Sequence, residues 1–149
     1  MTMIRHVSAI GEIVEDEDMD AAVGFYRDVL GLSVKHEPGS EYAEVEMGVV
    51  LHFAIWRRSA AAEATFGDPA LANRIPLGFT LGLEVDEVKA TSEKMTERGW
   101  DIVQPPKTEP WGQATSRFFS PTGMLCELSE TPWARSILRP MEVESAPSE

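Results

Sequence analysis

The chain is short of cysteine, of basic residues and of long apolar runs, and each shortage removes a class of answer. Its one cysteine, Cys126, cannot close an internal disulfide, and no Cys-x-x-Cys occurs. A reducing cytoplasm is therefore the expected compartment. Only 13 Lys and Arg stand against 25 Asp and Glu, a formal net charge of −12. Nucleic acid needs a basic footprint, so it is excluded as a partner. No apolar run approaches the ~20 residues of a membrane helix. The opening segment, Met1-Thr2-Met3-Ile4-Arg5-His6, lacks the apolar core of a signal peptide. Also missing are a Ser-His-Asp order, a P-loop and a dinucleotide fingerprint.

What remains is a chain of 149 residues with 43% hydrophobic content, enough for one domain with a real core. The acid excess gives solubility, and it also concentrates cations near the surface.

Residues 7–14 read as a strand, weakened at Gly11. The acidic run Glu15-Asp16-Glu17-Asp18 precedes a helix, with Asp18 as its N-cap and the acids at the positive end of its dipole. Val23, Tyr26 and Leu30 recur at helical spacing, and Gly31 ends the helix. A strand holding Leu32 and Val34 leads to a turn at Pro38-Gly39-Ser40. Strands are expected near 42–47 and 49–56. Residues 57–76 lack periodicity and read as a linker with one helical turn near Ala60–Ala64. Then come a strand at 79–85, a helix at 87–98 capped by Asp86 and stopped by Gly99, and a strand begun by Trp100, Ile102 and Val103. Pro105-Pro106 and Pro110 mark a loop. Strands at 113–119 and 124–129 meet at the turn Ser120-Pro121-Thr122-Gly123. The Glu-, Ser- and Pro-rich tail, 140–149, is expected to fray.

This order repeats. Thirteen positions separate Asp18 from Gly31, and thirteen separate Asp86 from Gly99. Each glycine is followed by apolar residues at the next and third positions. Each half then closes on a glycine and an apolar strand, from Gly48 and from Gly123. Such an offset repeat predicts an α+β domain of two βαβββ modules, about 7–57 and 77–130, joined by a linker 58–76 and followed by an arm 131–139. Two curled sheets set together leave a concave cleft, the usual place for a ligand.

The stretch from Asp20 to Leu32 resembles the first-helix signature of the vicinal oxygen chelate superfamily, which includes glyoxalases, dioxygenases and bleomycin-resistance proteins. Residues 111–113 and 120–128 resemble its closing hairpin. The resemblance covers about residues 7–130 and implies the glyoxalase/bleomycin-resistance fold, a curled half-barrel, and a homodimer. It also implies four metal-ligand positions, two on the first strands of the modules and two on the last. They fall on Gly11, Thr80, His52 and Glu127. Glycine has no donor and threonine is a poor one, so no metal and no other cofactor is expected. Glu12, one position from Gly11, is the only ligand a shifted register would offer there.

His52 shares a strand face with Val50, Ala54 and Trp56, opposite Leu51, Phe53 and Ile55. It is either a polar anchor for a ligand or a satisfied core histidine. Glu127 alternates with Leu125 and Ser129 and needs a partner: His52, Arg117 or a cationic ligand. Cys126 points the other way and reads as packing rather than nucleophile. Of four tryptophans, Trp56 and Trp111 suit a pocket, Trp100 the core, and Trp133 a cover over the cleft or a dimer seam.

The expected ligand-binding set is His52, Phe53, Trp56, Trp111, Arg117 and Glu127, with no catalytic residue assigned. The reading is a protein that sequesters an aromatic or cationic antibiotic, like bleomycin- and phenazine-resistance proteins. Two alternatives stand beside it. One is a lyase, isomerase or dioxygenase, metal-dependent or using His52 and Glu127 as acid and base. The other is a dimeric accessory protein whose cleft is filled by its own side chains.

Overall fold

The structure is a computed structural model that describes residues 3–29, 31–46, 52–120 and 123–133. The first module contains β1 (Ile4–Val14), α1 (Met19–Gly24, continued by a π-turn over Phe25–Val29), β2 (Val34–Lys35), β3 (Tyr42–Val45) and β4 (Phe53–Arg57). After α2 (Arg58–Phe66) and a 3-10 segment (Pro69–Arg74), the second repeats it: β5 (Gly78–Val85), α3 (Val88–Glu97), β6 (Gln104–Thr108), β7 (Ala114–Phe119) and β8 (Leu125–Glu130).

The eight strands among the described residues form one open, curled sheet in the order β2-β3-β4-β1-β5-β8-β7-β6. Each module runs 2-3-4-1 in its own numbering, and the two are mirrored about the antiparallel pair β1–β5. The modules thus pair within one chain. In each, the first strand lies parallel to the last, β1 to β4 and β5 to β8.

Helices α1 and α3 cover one face. Met19 and Val23 of α1 and Tyr26 pack with Ala43, Val45, Phe53 and Ile55, so alternate residues of β3 and β4 enter this core. On the other module Val88 packs with Val85, Phe118, Cys126 and Leu128. Cys126 therefore sits in the α3 core, as its strand parity indicates. The backbone turns left-handed at Gly31 and Gly99, where only glycine is unstrained.

Several local readings are corrected. Residues 58–76 hold nine residues of α-helix and a 3-10 segment rather than a single turn. Ala61 and Ala62 are buried against Ile13, Ile75 and Leu125, with Trp56 and Phe66 alongside, so α2 walls one end of the concave face. The acidic run anchors this helix. Asp16 accepts from the Ser59 backbone N–H at 3.1 Å, and Glu15 pairs with Arg58 at 2.7 Å. Asp18 is at the N-cap position of α1 but makes no cap hydrogen bond. Asp86 does not cap α3. It pairs with Arg5 at 2.6 Å, Glu87 takes the cap position, and Glu130 accepts from the Val88 N–H at 3.1 Å.

Pro105 and Pro106 lie inside β6 rather than in a loop. That strand is a sheet edge, and the prolines fall in its register shift between Gln104 and Lys107, where no ladder donor is needed. Trp100, Ile102 and Val103 precede the strand. Trp100 is 37% exposed, its indole N–H donating to the Phe119 carbonyl at 3.1 Å. The turn residues Pro121 and Thr122, Leu30, residues 47–51 and the 140–149 tail lie outside the described residues.

Candidate functional site

The face of the sheet opposite α1 and α3 holds a cavity of about 660 Å³. It opens where β1 and β5 meet, because the residues there are small. A Cβ on Gly11 would meet Thr80 Oγ1 at 3.0 Å, and one on Gly82 would meet Ser8 Oγ at 2.9 Å. Among the described residues the cleft is open, unlike the self-filled cleft expected of a purely structural protein.

Its walls are aromatic and acidic. Trp56, Trp111, Trp133 and Tyr42 line it, and so do Glu41, Glu44 and Glu127. Among the described residues the one guanidinium on its surface is Arg117. With three carboxylates against one fixed cation, the cleft favours a positive ligand.

Of the expected residues, His52, Trp56, Trp111, Arg117 and Glu127 meet at this cavity. Phe53 does not. It points to the other face of β4, buried against Tyr26 with ring centroids 5.4 Å apart. Strand alternation between His52 and Phe53 already requires this separation.

Arg117 is the hub of the floor. It is 1% exposed. One Nη2–H donates to Glu127 Oε2 at 2.7 Å, and Nη1 donates to Glu109 Oε1 at 2.9 Å, to the Ala64 carbonyl at 3.3 Å and to Gln104. Ala64 belongs to the last turn of α2, whose free carbonyls attract a cation. The Arg117 Cζ stands 5.4 Å from the Trp56 ring centroid, a cation–π contact. Burial raises the Glu127 carboxyl above its ordinary value, with Arg117 pulling back and Glu109 and Glu84 pushing further.

A second polar group crosses the first module. The Tyr42 hydroxyl hydrogen-bonds His52 Nε2, and Glu44 lies 4.0 Å from His52 Nδ1. Burial lowers the His52 pKa and Glu44 partly opposes this, so the imidazole is neutral at neutral pH. Burial, with Glu44 and Glu127, raises the Tyr42 pKa, so the phenol stays protonated. Tyr42 also stands edge-on to Trp56 at 6.4 Å.

Sequence reasoning missed Tyr42, Glu44 and Glu109. The first two alternate with the core residues Ala43 and Val45, a period-two signal that was present. Nothing marked Glu109, which lies in a proline-rich stretch and is buried against Arg117, Thr115 and Lys107.

All four positions expected to hold a metal, Gly11, His52, Thr80 and Glu127, line this one cavity. Their chemistry does not fit a divalent ion. Gly11 offers nothing, Thr80 a hydroxyl, His52 Nε2 is taken by Tyr42, and Glu127 is paired with Arg117. Glu12, the fallback donor, is on the helix side and accepts from the Tyr26 hydroxyl, whose pKa is pushed up to about 12. Among the described residues no group of three or more His, Cys, Asp or Glu is placed to hold a metal.

Two mirrored βαβββ modules around an open cleft define a class of ligand-binding and catalytic domains. The model of the Glyoxalase/Bleomycin resistance protein/Dioxygenase superfamily matches residues 4–128, and the chain belongs to that superfamily. No curated protein matches the chain. Among solved structures it is similar to methylmalonyl-CoA epimerase from Mycobacterium tuberculosis, with a TM-score of 0.61, 16% identity and coverage of 90% of this chain and 94% of that one. A superfamily member from Vibrio splendidus 12B01 has a TM-score of 0.57 and 17% identity, covering 85% and 98%. The Mn(II)-bound glyoxalase from Novosphingobium aromaticivorans has a TM-score of 0.58 and 23% identity, over 87% of this chain and 40% of that one. At these identities the likeness shows the fold. No helix among the described residues is long and apolar enough to cross a membrane.

Proposed function

We propose that this protein binds a planar aromatic, positively charged small molecule in the cleft without a resident metal, and acts by holding it, as an antibiotic-sequestering resistance protein does. The observation that carries this reading is the lining itself: four aromatic side chains and a surplus of carboxylates around one open cavity. Aromatic faces stack on flat rings, and the carboxylates attract the charge. The test is equilibrium dialysis of purified protein against the planar cationic dye proflavine, followed by mass analysis of the dye. One dye per chain, recovered unchanged, supports the reading; no retention overturns it.

A second reading, a metal-free acid–base catalyst, has one observation in its favour. The Glu44–His52–Tyr42 chain orients a neutral imidazole beside the cavity, as general-base sites do. Conversion of a bound ligand that is lost in His52→Asn while affinity is kept would support it.

A further inference from the structure

We infer that the Tyr42 hydroxyl is the cleft's hydrogen-bond acceptor for the bound cation, so that the ligand is a protonated amine with an N–H to give rather than a quaternary ammonium. The inference rests on the cleft-binding reading and names the kind of cation.

Tyr42 alternates with the buried Ala43 on β3, lines the cavity and is 37% exposed, so its phenol belongs to the cavity wall. Glu127 of the other module is among the charges that act on it, which places it toward the middle of the cleft.

What the phenol can offer is set by His52. The hydroxyl hydrogen-bonds His52 Nε2, and the two ring planes differ by 18° with centroids 6.0 Å apart, so it approaches the nitrogen close to the imidazole plane. A neutral imidazole carries a single N–H. With that proton on Nε2, the bare Nδ1 lone pair would face the Glu44 carboxylate 4.0 Å away; with it on Nδ1, the N–H faces the carboxylate instead. The field of Glu44 therefore selects Nδ1–H, Nε2 accepts, and the one phenol hydrogen is committed to His52. The oxygen keeps its lone pairs and acts as an acceptor only, strengthened by the bond it donates. An ammonium N–H matches it, in a charge-assisted bond. A carbonyl or ether oxygen meets lone pair against lone pair.

The surrounding charges agree. In the second module Glu127 is engaged by Arg117, which shares Glu109 with Lys107, and Glu84 is buried and accepts from Ser129 and Thr131. At the Tyr42 end Glu41 and Glu44 line the cavity, and the cation brought beside them is Lys35, opposite Glu44 in the register of β2 and β3 and not ion-paired with it. Two carboxylates against one ammonium leave room for the charge of the ligand.

1-Naphthylmethylammonium and 1-naphthylmethyl-trimethylammonium test this, because they share ring and charge and only the first has an N–H. Affinities are measured at neutral pH by displacement of proflavine from the full chain. The methyl groups add apolar surface, so burial alone would favour the quaternary ion. The expected result is the primary ammonium tighter by about tenfold, a preference of about 1.4 kcal/mol. In Tyr42→Phe, which keeps the ring and loses the oxygen, the ratio should fall to one or below. A tenfold ratio that survives in this variant would come from a carboxylate or from exclusion of the bulkier head, and it overturns the inference, as do equal affinities in the native protein. If the variant does not fold, the ring ¹⁵N resonances of His52 in the native protein decide. They should place the proton on Nδ1; a proton on Nε2 would leave the phenol free to donate to the ligand and overturns the inference. Each of these failures leaves the cleft reading standing, whereas failure of proflavine to bind overturns both.

Discussion

Trp111→Ala separates binding from folding better than any other single change. Trp111 is 53% exposed, belongs to none of the buried clusters, and its indole N–H donates only to Gln113 Oε1, at 2.9 Å. Gln113 keeps its own bond to Thr131 at 2.9 Å when the indole is gone. Loss of one solvated hydrogen bond on a half-exposed side chain should cost folding no more than about 1 kcal/mol. Binding should lose more. A tricyclic ligand covering one indole face removes roughly 60 Å² of indole from water, about 1.5 kcal/mol at ~25 cal/mol per Å². Stacking adds about 0.5–1.5 kcal/mol. The sum, about 2–3 kcal/mol, corresponds to a loss of roughly thirtyfold or more in affinity. Calorimetric titration with proflavine, beside thermal melts of both proteins, measures the two effects separately. An unchanged Kd with an unchanged Tm would refute the aromatic-cleft argument, since nothing but the ligand contact is at stake at this position.

Four further outcomes follow from the same geometry. Glu127→Gln should weaken proflavine severalfold and leave a neutral ring system of similar size nearly unaffected; equal losses for both would contradict an electrostatic role. Proflavine affinity should hold steady at neutral pH and fall in acid. The folded His52 pKa lies below its ordinary value, so the imidazole is uncharged above that pKa and becomes a cation beside the ligand as pH drops through it, which an affinity–pH profile reads directly. Purified, dialysed protein should carry far less than one equivalent of zinc, nickel, manganese or iron by elemental analysis, because two of four ligand positions lack useful donors and the other two are engaged; a stoichiometric metal on His52 or Glu127 would sink the sequestration reading. We also propose a homodimer, because β2 and β6 leave both edges of the sheet open. Sedimentation at micromolar concentration should show two chains together, and a stable monomer would count against it.

The repeat was legible because glycine at a helix end and alternation on a strand are local requirements. Gly31 and Gly99 stop the paired helices where left-handed backbone is needed. Alternation along β4 and the residue before it placed His52 and Trp56 in the cleft, and the same rule excluded Phe53. The ion pair between Glu127 and Arg117 follows from adjacent β7 and β8, where the two residues are register partners. What stayed hidden depends on distant partners. The buried residues of α2 are Ala60, Ala61, Ala62 and Thr65, too small and too polar to read as an apolar stripe, and the carboxylate that accepts from the Ser59 N–H in its first turn, Asp16, is 43 residues away in sequence. Asp86 has the right spacing for a cap, yet Arg5 pairs with its carboxylate and Glu130 is the acceptor for the Val88 N–H, both through tertiary contacts. Pro105 and Pro106 look like a loop until the sheet order makes β6 an edge. Glu109 reaches the site through Arg117 of β7, with Thr115 and Lys107 holding the same carboxylate oxygen.

A crystal structure of the protein with proflavine bound tests the central claim most directly. The account predicts the dye inside the cavity, stacked on the indoles of Trp56 and Trp111, with its charged amine edge toward Glu44 or Glu127. A dye found only on the outer surface, or a metal ion held in the cleft by His52 and Glu127, would contradict it.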